Sequence, residues 1–303
     1  MNYSVIIPCF NAEKFIDHAL NSVLKQSVFP KEIILVDNMS TDNTLEKIKY
    51  YASNYSFVKF LVENNKGVSY ARNAGLNIAS GDYIQFLDVD DYLNDDKVKL
   101  QLELIQNENT TIDILFDNYF IEELSGEREL IKNEMSDLWL GLLKGKLGFT
   151  SSNLWRREIL LKIGGFDVSL VTSEEYHLIF EILKNKGSYL FAETSSTFKR
   201  EINSNSLTKS EPKLNWLRYS KLRFEMIVYM ESTEIVKNIH YVAFFDVLRI
   251  LYPIKKELAV EYYNLILKNK FLLAETETSS RMYVFLYKML GFKCAEFLKK
   301  VFQ

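Results

Sequence analysis

From residue 3 to residue 92 the chain alternates short apolar, β-branched runs with amphipathic stretches. Tyr3 to Pro8 reads as a strand. Asn11 is placed to cap a helix that continues to about Gln26, with Phe15, Ile16, Ala19, Leu20 and Val23 at helical spacing. Glu32 to Asp37 is a second strand, Ser40 or Thr41 starts the next helix, and Asp42 sits in its first turn, where an acid suits the helix dipole. Phe57 to Glu63, Val68 to Ala79 and Tyr83 to Leu87 continue the series as strand, helix and strand, and a further helix starts near Asp95. This alternation predicts an α/β fold with a Rossmann-like, doubly wound, mostly parallel sheet. Ligands bind such sheets beyond the carboxyl ends of the strands, and Asn11, Asp37, Asn38 and Asp88 all fall there.

The pattern then changes. Strands are expected at Thr111 to Phe116 and near Tyr119, a charged loop over residues 122–134, and a short helix at Leu138 to Leu143. Gly164-Gly165-Phe166 makes a tight turn, and Glu174 to Asn185 is a helix. Beyond Glu211 everything reads as helix, over residues 213–231, 234–251, 254–270 and 279–302. Charge divides at the same place. Residues 1–211 carry 22 Lys and Arg against 31 Asp and Glu, whereas residues 212–303 carry 15 against 9. Two regions with different roles are expected, 1–211 and a C-terminal helical region 212–303. No stretch reaches the roughly 18 to 20 apolar residues of a membrane span. The N-terminus lacks the basic-then-apolar layout of a secretory leader, so a cytoplasmic protein is expected. Cys9 and Cys294 fit no metal-ligand spacing and read as buried, reduced thiols.

The segment Phe86-Leu87-Asp88-Val89-Asp90-Asp91 carries chemistry. Three carboxylates at a strand end repel one another where hydration is poor. Two readings stand on this segment alone. One is an acidic loop whose Asp90 or Asp91 caps the next helix. The other is a site for a hard divalent cation that carries a phosphate, since oxygen ligands and charge neutralisation suit Mg²⁺ or Mn²⁺.

Three further segments stand in order with it: Val5-Ile6-Ile7-Pro8-Cys9-Phe10-Asn11, Val36-Asp37-Asn38-Met39-Ser40-Thr41-Asp42 and Asn65-Lys66-Gly67-Val68-Ser69-Tyr70-Ala71-Arg72-Asn73-Ala74-Gly75. Gly164-Gly165-Phe166-Asp167 with Ser173-Glu174-Glu175-Tyr176 makes a fifth match, and Asn205-Ser206-Leu207-Thr208 a weaker sixth. Together they resemble the inverting, family-2 type nucleotide-sugar glycosyltransferases of the GT-A fold. The resemblance implies transfer of a sugar from a nucleotide-sugar, with a UDP-sugar favoured, to a hydroxyl of a glycan or lipid-linked glycan acceptor. The usual setting of such chains is bacterial cell-surface polysaccharide synthesis; no nucleic-acid partner is expected. It assigns donor binding to Pro8, Phe10, Asp37, Lys66, Arg72 and Asp88. In that assignment Asp37 accepts the uracil N3–H, Phe10 packs on base or ribose, and Lys66 and Arg72 flank a helix start suited to phosphate. It assigns Mn²⁺ or Mg²⁺ to Asp90 and Asp88, and the catalytic base to Glu175, where relatives usually carry Asp. Relatives often have a His near the sixth match, and Ile202-Asn203 departs from that.

A non-catalytic relative that binds nucleotide-sugar or a partner enzyme is the alternative. A nicotinamide dehydrogenase is excluded because Pro8-Cys9-Phe10-Asn11-Ala12-Glu13 has no glycine where Gly-x-Gly-x-x-Gly is needed. At the C-terminus, Arg281, Lys288, Lys293, Glu296, Lys299 and Lys300 share one arc of a helical wheel, opposite Met, aromatic and aliphatic residues. Such a helix either lies on an anionic membrane surface or packs on its neighbours.

Overall fold

The computed structural model describes residues 1–201, 211–273, 275–276 and 279–302. Every residue of β1 (Tyr3–Cys9) and β2 (Glu32–Asp37) is buried, as a parallel sheet covered on both faces requires. The alternation continues through α1 (Ile16–Leu24), α2 (Thr44–Asn54), β3 (Val58–Val62), α3 (Val68–Ile78) and β4 (Tyr83–Phe86). Parallel pairing joins β1 to β2 and β4, and β2 to β3. Val5, Ile7, Ile33 and Leu35 face a core shared with Ala19, Leu20 and Val23 of α1. Ile6 and Val36 face α3, which comes so close that a Cβ on Gly75 would lie 2.5 Å from Ile6 Cγ2. The doubly wound sheet expected from the alternation is present.

The chain goes on through β5 (Tyr92–Leu93), α4 (Lys97–Gln106), β6 (Ile114–Asp117), β7 (Tyr119–Glu122), β8 (Arg128–Ile131), α5 (Leu138–Lys144), β9 (Leu154–Arg156), α6 (Arg157–Lys162), α7 (Glu174–Lys184), β10 (Tyr189–Ala192) and β11 (Thr197–Arg200). The main sheet has seven strands in the order β10-β6-β9-β4-β1-β2-β3, with β9 antiparallel to both neighbours. A second sheet runs β5-β11-β7-β8. Both sheets lie in one compact unit, residues 1–135 and 145–204.

Several expectations are corrected. The stretch 122–134 is not all loop: Arg128–Ile131 forms β8, paired antiparallel to β7. The first helix starts at Ile16 rather than after Asn11. Asn11 instead takes a left-handed φ of 48° and its Oδ1 accepts the Thr41 N–H at 2.8 Å, tying two rim loops together. The second helix starts at Thr44, whose N–H donates to Asp42 at 3.0 Å. Ile202-Asn203 and Asn205-Ser206-Leu207-Thr208 lie outside the described residues.

The second unit comprises residues 136–144 and 205–303. It holds α5, α8 (Pro212–Ser232), α9 (Asn238–Leu251), α10 (Lys256–Tyr262), a π-helical turn (Tyr263–Leu267) and α11 (Arg281–Phe302). Asp137 caps α5 by accepting the N–H groups of Trp139 and Leu140, and also pairs with Lys237 at 2.7 Å and with His240 at 3.0 Å. Those pairs hold its carboxyl down at about 2 against the cost of burial. The unit's core is aromatic: Phe224 stacks on Tyr262 at 4.0 Å, and Phe245 meets Tyr283, Tyr287 and Phe292. The α11 helix is broken at Gly291 (φ 75°, ψ 175°), so its charges do not share one wheel. Glu296, expected on the basic face, is buried and paired with Arg249 at 2.7 Å. Among the described residues no helix is long and apolar enough to cross a membrane.

Candidate active site

Register brings the strand ends together. Cys9 lies beside Asp37, and Ile6 beside Phe86, so the loops after β1, β2 and β4 open on one rim of the sheet. Pro8 is buried inside β1 and paired with Val36. Ile6 O faces Leu87 N on the β4 side and Cys9 O faces Asn38 N on the β2 side. Pro8 therefore turns its missing N–H toward β4, past the last registered pair on that side.

Asp37 ends β2 and is 3% exposed. Its Oδ2 accepts the Ser40 N–H at 3.4 Å, while Oδ1 is buried without a partner among the described residues. A buried acceptor left empty costs free energy, which a ligand donor would recover. Asn38 donates to the carbonyls of Glu63 (3.1 Å) and Asn65 (2.7 Å) and accepts from Gly67 N (2.8 Å). A carboxylate there would lose both donated bonds, which explains the amide. The loop it fixes carries Lys66, whose Nζ lies 5.6 Å from the ring centre of Phe10. That ring is 50% exposed, a flat apolar surface at the rim.

Arg72, on α3, is buried and bridges Asp88 (2.7 Å) and Glu174 (3.0 Å). Burial opposes its charge, but Asp88 and Glu174 outweigh that and hold it protonated. Both terminal nitrogens are engaged by carboxylates, so Arg72 orients Asp88 and Glu174. Beneath it lies the Phe166 ring, 5.1 Å from the guanidinium carbon and edge-on to Phe86. Phe166 is presented by Gly164 and Gly165, both at positive φ. Asn73 clamps that turn, accepting Phe166 N and donating to Phe166 O, both at 2.8 Å. A Cβ on Gly165 would sit 2.4 Å from Asn73 Oδ1, so only glycine allows the clamp.

The acidic cluster is crowded. Burial and then the charge of Asp88 push the Asp90 carboxyl up; burial and then Asp88 and Asp90 push Asp91 up further. Asp91 is 3% exposed and accepts from Arg200 N (3.1 Å) and Ser151 Oγ (3.2 Å), so it anchors β11 rather than facing a ligand. Asp88 and Asp90 remain. Among the described residues no group of three or more His, Cys, Asp or Glu side chains could hold a metal by itself. Two carboxylates do suit a cation that takes its other ligands from phosphate and water.

Glu174 and Glu175 open α7, after Ser173 in a left-handed turn (φ 65°). Burial pushes the Glu174 carboxyl up, and its bond to Arg72 pulls against that. Glu175 is turned the other way, with Oε2 accepting the N–H (3.0 Å) and hydroxyl (2.8 Å) of Thr150. Lys199 lies over the Phe149 ring at 5.2 Å; burial opposes its charge, which Glu175, Tyr119, Asp91 and Asp88 stabilise. The structure therefore joins Arg72, Asp88 and Glu174 directly, and ranges Asp90, Glu175 and Lys199 within the same field of charge. Thr150, Ser151 and Lys199 were missed by sequence reasoning. Thr150 to Asn153 is a run of small polar residues with no periodicity, and nothing in it signals burial.

The sequence profile of the family described as Glycosyl transferase family 2 matches residues 4–164. An uncharacterized glycosyltransferase of Haemophilus influenzae is 32% identical over 242 residues, covering 78% of this chain and 92% of its own length. The minor teichoic acid biosynthesis protein GgaB of Bacillus subtilis is 30% identical over 78% of this chain, which spans only 27% of GgaB. Among solved structures, residues 1–349 of Staphylococcus aureus TarS in complex with UDP-GlcNAc superpose with a TM-score of 0.68. That alignment covers 100% of this chain and 91% of the TarS chain at 17% identity, a likeness of fold.

Proposed function

Because this chain belongs to glycosyltransferase family 2, we propose that it transfers a sugar from a UDP-sugar to an acceptor hydroxyl by a single displacement with inversion. The observation that carries the donor reading is the empty, buried Oδ1 of Asp37 at the end of β2. It has the position and polarity to accept the uracil N3–H, beside an exposed Phe10 on which base or ribose can pack. Lys66, 5.6 Å from the Phe10 ring centre, would meet the diphosphate.

Asp90 and Asp88 would hold Mn²⁺ or Mg²⁺. When bound, such a cation takes up charge developing on the departing diphosphate. Arg72 and Glu174 fix the orientation of Asp88. Glu175 takes the proton of the acceptor hydroxyl as its oxygen attacks the anomeric carbon. The leaving nucleotide needs no proton, so one base suffices, and the single displacement inverts the anomeric centre.

The acceptor class is a glycan of the cell surface, free or lipid-linked; the teichoic acid role in the name of GgaB is consistent with it. Action at the inner face of a membrane fits the outer side of α11, where Met282, Phe285, Met289 and Phe297 are exposed among Lys288 and Lys293.

Calorimetry with UDP tests the donor reading. Binding is expected with Mn²⁺ and is lost with EDTA. Asp37→Ala should weaken it by about 1.5–3 kcal/mol, the worth of a hydrogen bond to a charged group. Equal affinity of the parent and Asp37→Ala, or no preference for UDP over GDP, would sink the base assignment.

A further inference from the structure

We infer that Thr150 is a positioning residue for the transfer step, holding one oxygen of Glu175 so that the other faces the acceptor hydroxyl. The inference rests on Glu175 being the base. Both bonds from Thr150 converge on Oε2, from its N–H at 3.0 Å and its hydroxyl at 2.8 Å. Oε1 accepts no hydrogen bond among the described residues. A carboxylate with one oxygen doubly occupied cannot rotate freely, and its open oxygen has a fixed direction.

Thr150 is itself immobile. It is 1% exposed, and its carbonyl accepts the Trp155 indole N–H at 3.2 Å. The loop closes on itself through Phe149 N to Ser152 Oγ and Ser152 N to Phe149 O. Gly148, at φ 67°, lies so close to Asn153 that a Cβ would meet its Oδ1 at 2.2 Å. The next residue, Ser151, accepts Asp88 N at 3.0 Å and donates to Asp91. One rigid loop thus sets the base and the acidic cluster together.

The step balances on the chain's own groups. The acceptor O–H proton passes to Oε1, the acceptor oxygen bonds to the anomeric carbon, and the bond from that carbon to the phosphate oxygen breaks. The electron pair leaves with the nucleoside diphosphate. Arg72 from α3, Lys199 from β11 and Glu174 on the same helix are the charged groups around Glu175. Among the described residues none of them is hydrogen-bonded to it, so orientation falls to Thr150.

Steady-state kinetics on Thr150→Val, Thr150→Ser, Glu175→Gln and the Thr150→Val/Glu175→Gln double variant test this, using the UDP-sugar that supports turnover. Thr150→Val is expected to lower kcat about tenfold, the worth of one hydrogen bond to a charged group, with donor KM unchanged. Thr150→Ser should keep kcat within about twofold, since it keeps both donors. In the Glu175→Gln background Thr150→Val should cost nothing further, because the two residues act as one unit. Parent-level kcat in Thr150→Val overturns the inference. So does a tenfold loss in both backgrounds, which would mark a purely structural role. Should Thr150→Val lose the UDP affinity of a folded site, Thr150→Ala carries the same comparison. Parent turnover in Glu175→Gln would remove the base reading itself and this inference with it. Loss in Glu175→Gln with none in Thr150→Val removes only the inference.

Discussion

Two buried arginines, one in each compact unit, are handled in opposite ways. Arg249 is 2% exposed and is engaged by Glu296 at 2.7 Å, Ser279 at 2.6 Å and the Tyr283 ring at 3.6 Å. Glu296 is equally buried and also accepts the Tyr283 hydroxyl. Arg72 is 4% exposed, but its partner Asp88 is 31% exposed and opens onto Asp90, whose carboxyl burial and Asp88 push up. One unit neutralises its buried charge; the other gathers more negative charge than it pairs. An ion pair closed on itself is structure. A cluster left partly uncompensated is where a cation and a charged substrate are wanted.

The largest test of that contrast replaces each arginine by Met. Breaking a buried pair from one side costs about 3–5 kcal/mol. Arg249→Met should lower the melting temperature while leaving UDP affinity per folded molecule at the parent level. Arg72→Met should instead cost turnover, by about 10²-fold or more, because Asp88 and Glu174 lose their orientation. Equal loss of activity in the two variants, measured at matched folded fraction, would erase the distinction.

Acid should act on both units alike. Glu32, in the sheet unit, is held at about 2 despite burial, by Lys59, Ser4 and Ser80. Asp137, in the helical unit, is held at about 2 despite burial, by Lys237 and His240. Both lie below their unfolded values. The stability they contribute is present above about pH 4.5 and is lost as pH falls toward 2. Glu32→Gln should therefore destabilise by roughly 2 kcal/mol at pH 7 and flatten the acid limb of a melting-temperature profile. An unchanged slope between pH 5 and 3 would rule this out.

A smaller effect of opposite sign is expected at the uncompensated cluster. Asp90→Asn removes one of the crowded charges and should raise the melting temperature without metal by about 2–4 °C, the scale of 1 kcal/mol in a domain of this size. The same variant should lose the stabilisation that Mn²⁺ and UDP give the parent. A lower melting temperature would show that the cluster carries no repulsion.

The smallest is at the surface of α11. Lys288→Glu and Lys293→Glu together should reduce co-sedimentation with vesicles containing phosphatidylserine, by about 1 kcal/mol per charge, and added salt should do the same. Salt-independent binding, or none by the parent, would remove the membrane from the account.

The chain by itself determined the sheet. β1, β2 and β4 are predominantly apolar and buried along their whole length, and burial on both faces of a parallel sheet favours such segments, so local pattern and tertiary need coincide. Because ligands meet such sheets at strand ends, Asp37, Asp88 and Asp90 could be named from position. Short or antiparallel pieces could not. β9 is three residues long and wins its place only by pairing with β4 and β6, remote in sequence. β8 lies in a charged stretch and is set by pairing with β7. Glycine inside a helical pattern carries no sign of its own, so the turn at Gly291 and the burial of Glu296 were invisible to a helical wheel. Arg72 was legible as a cation near phosphate-like chemistry, but which acids it pairs with depends on α7 arriving from a hundred residues away. Thr150, Ser151 and Lys199 gain their roles from neighbours that only the folded chain supplies. Residue type and spacing fix which groups reach the rim; hydrogen bonds between distant segments decide which of them are held and which stay open to a ligand.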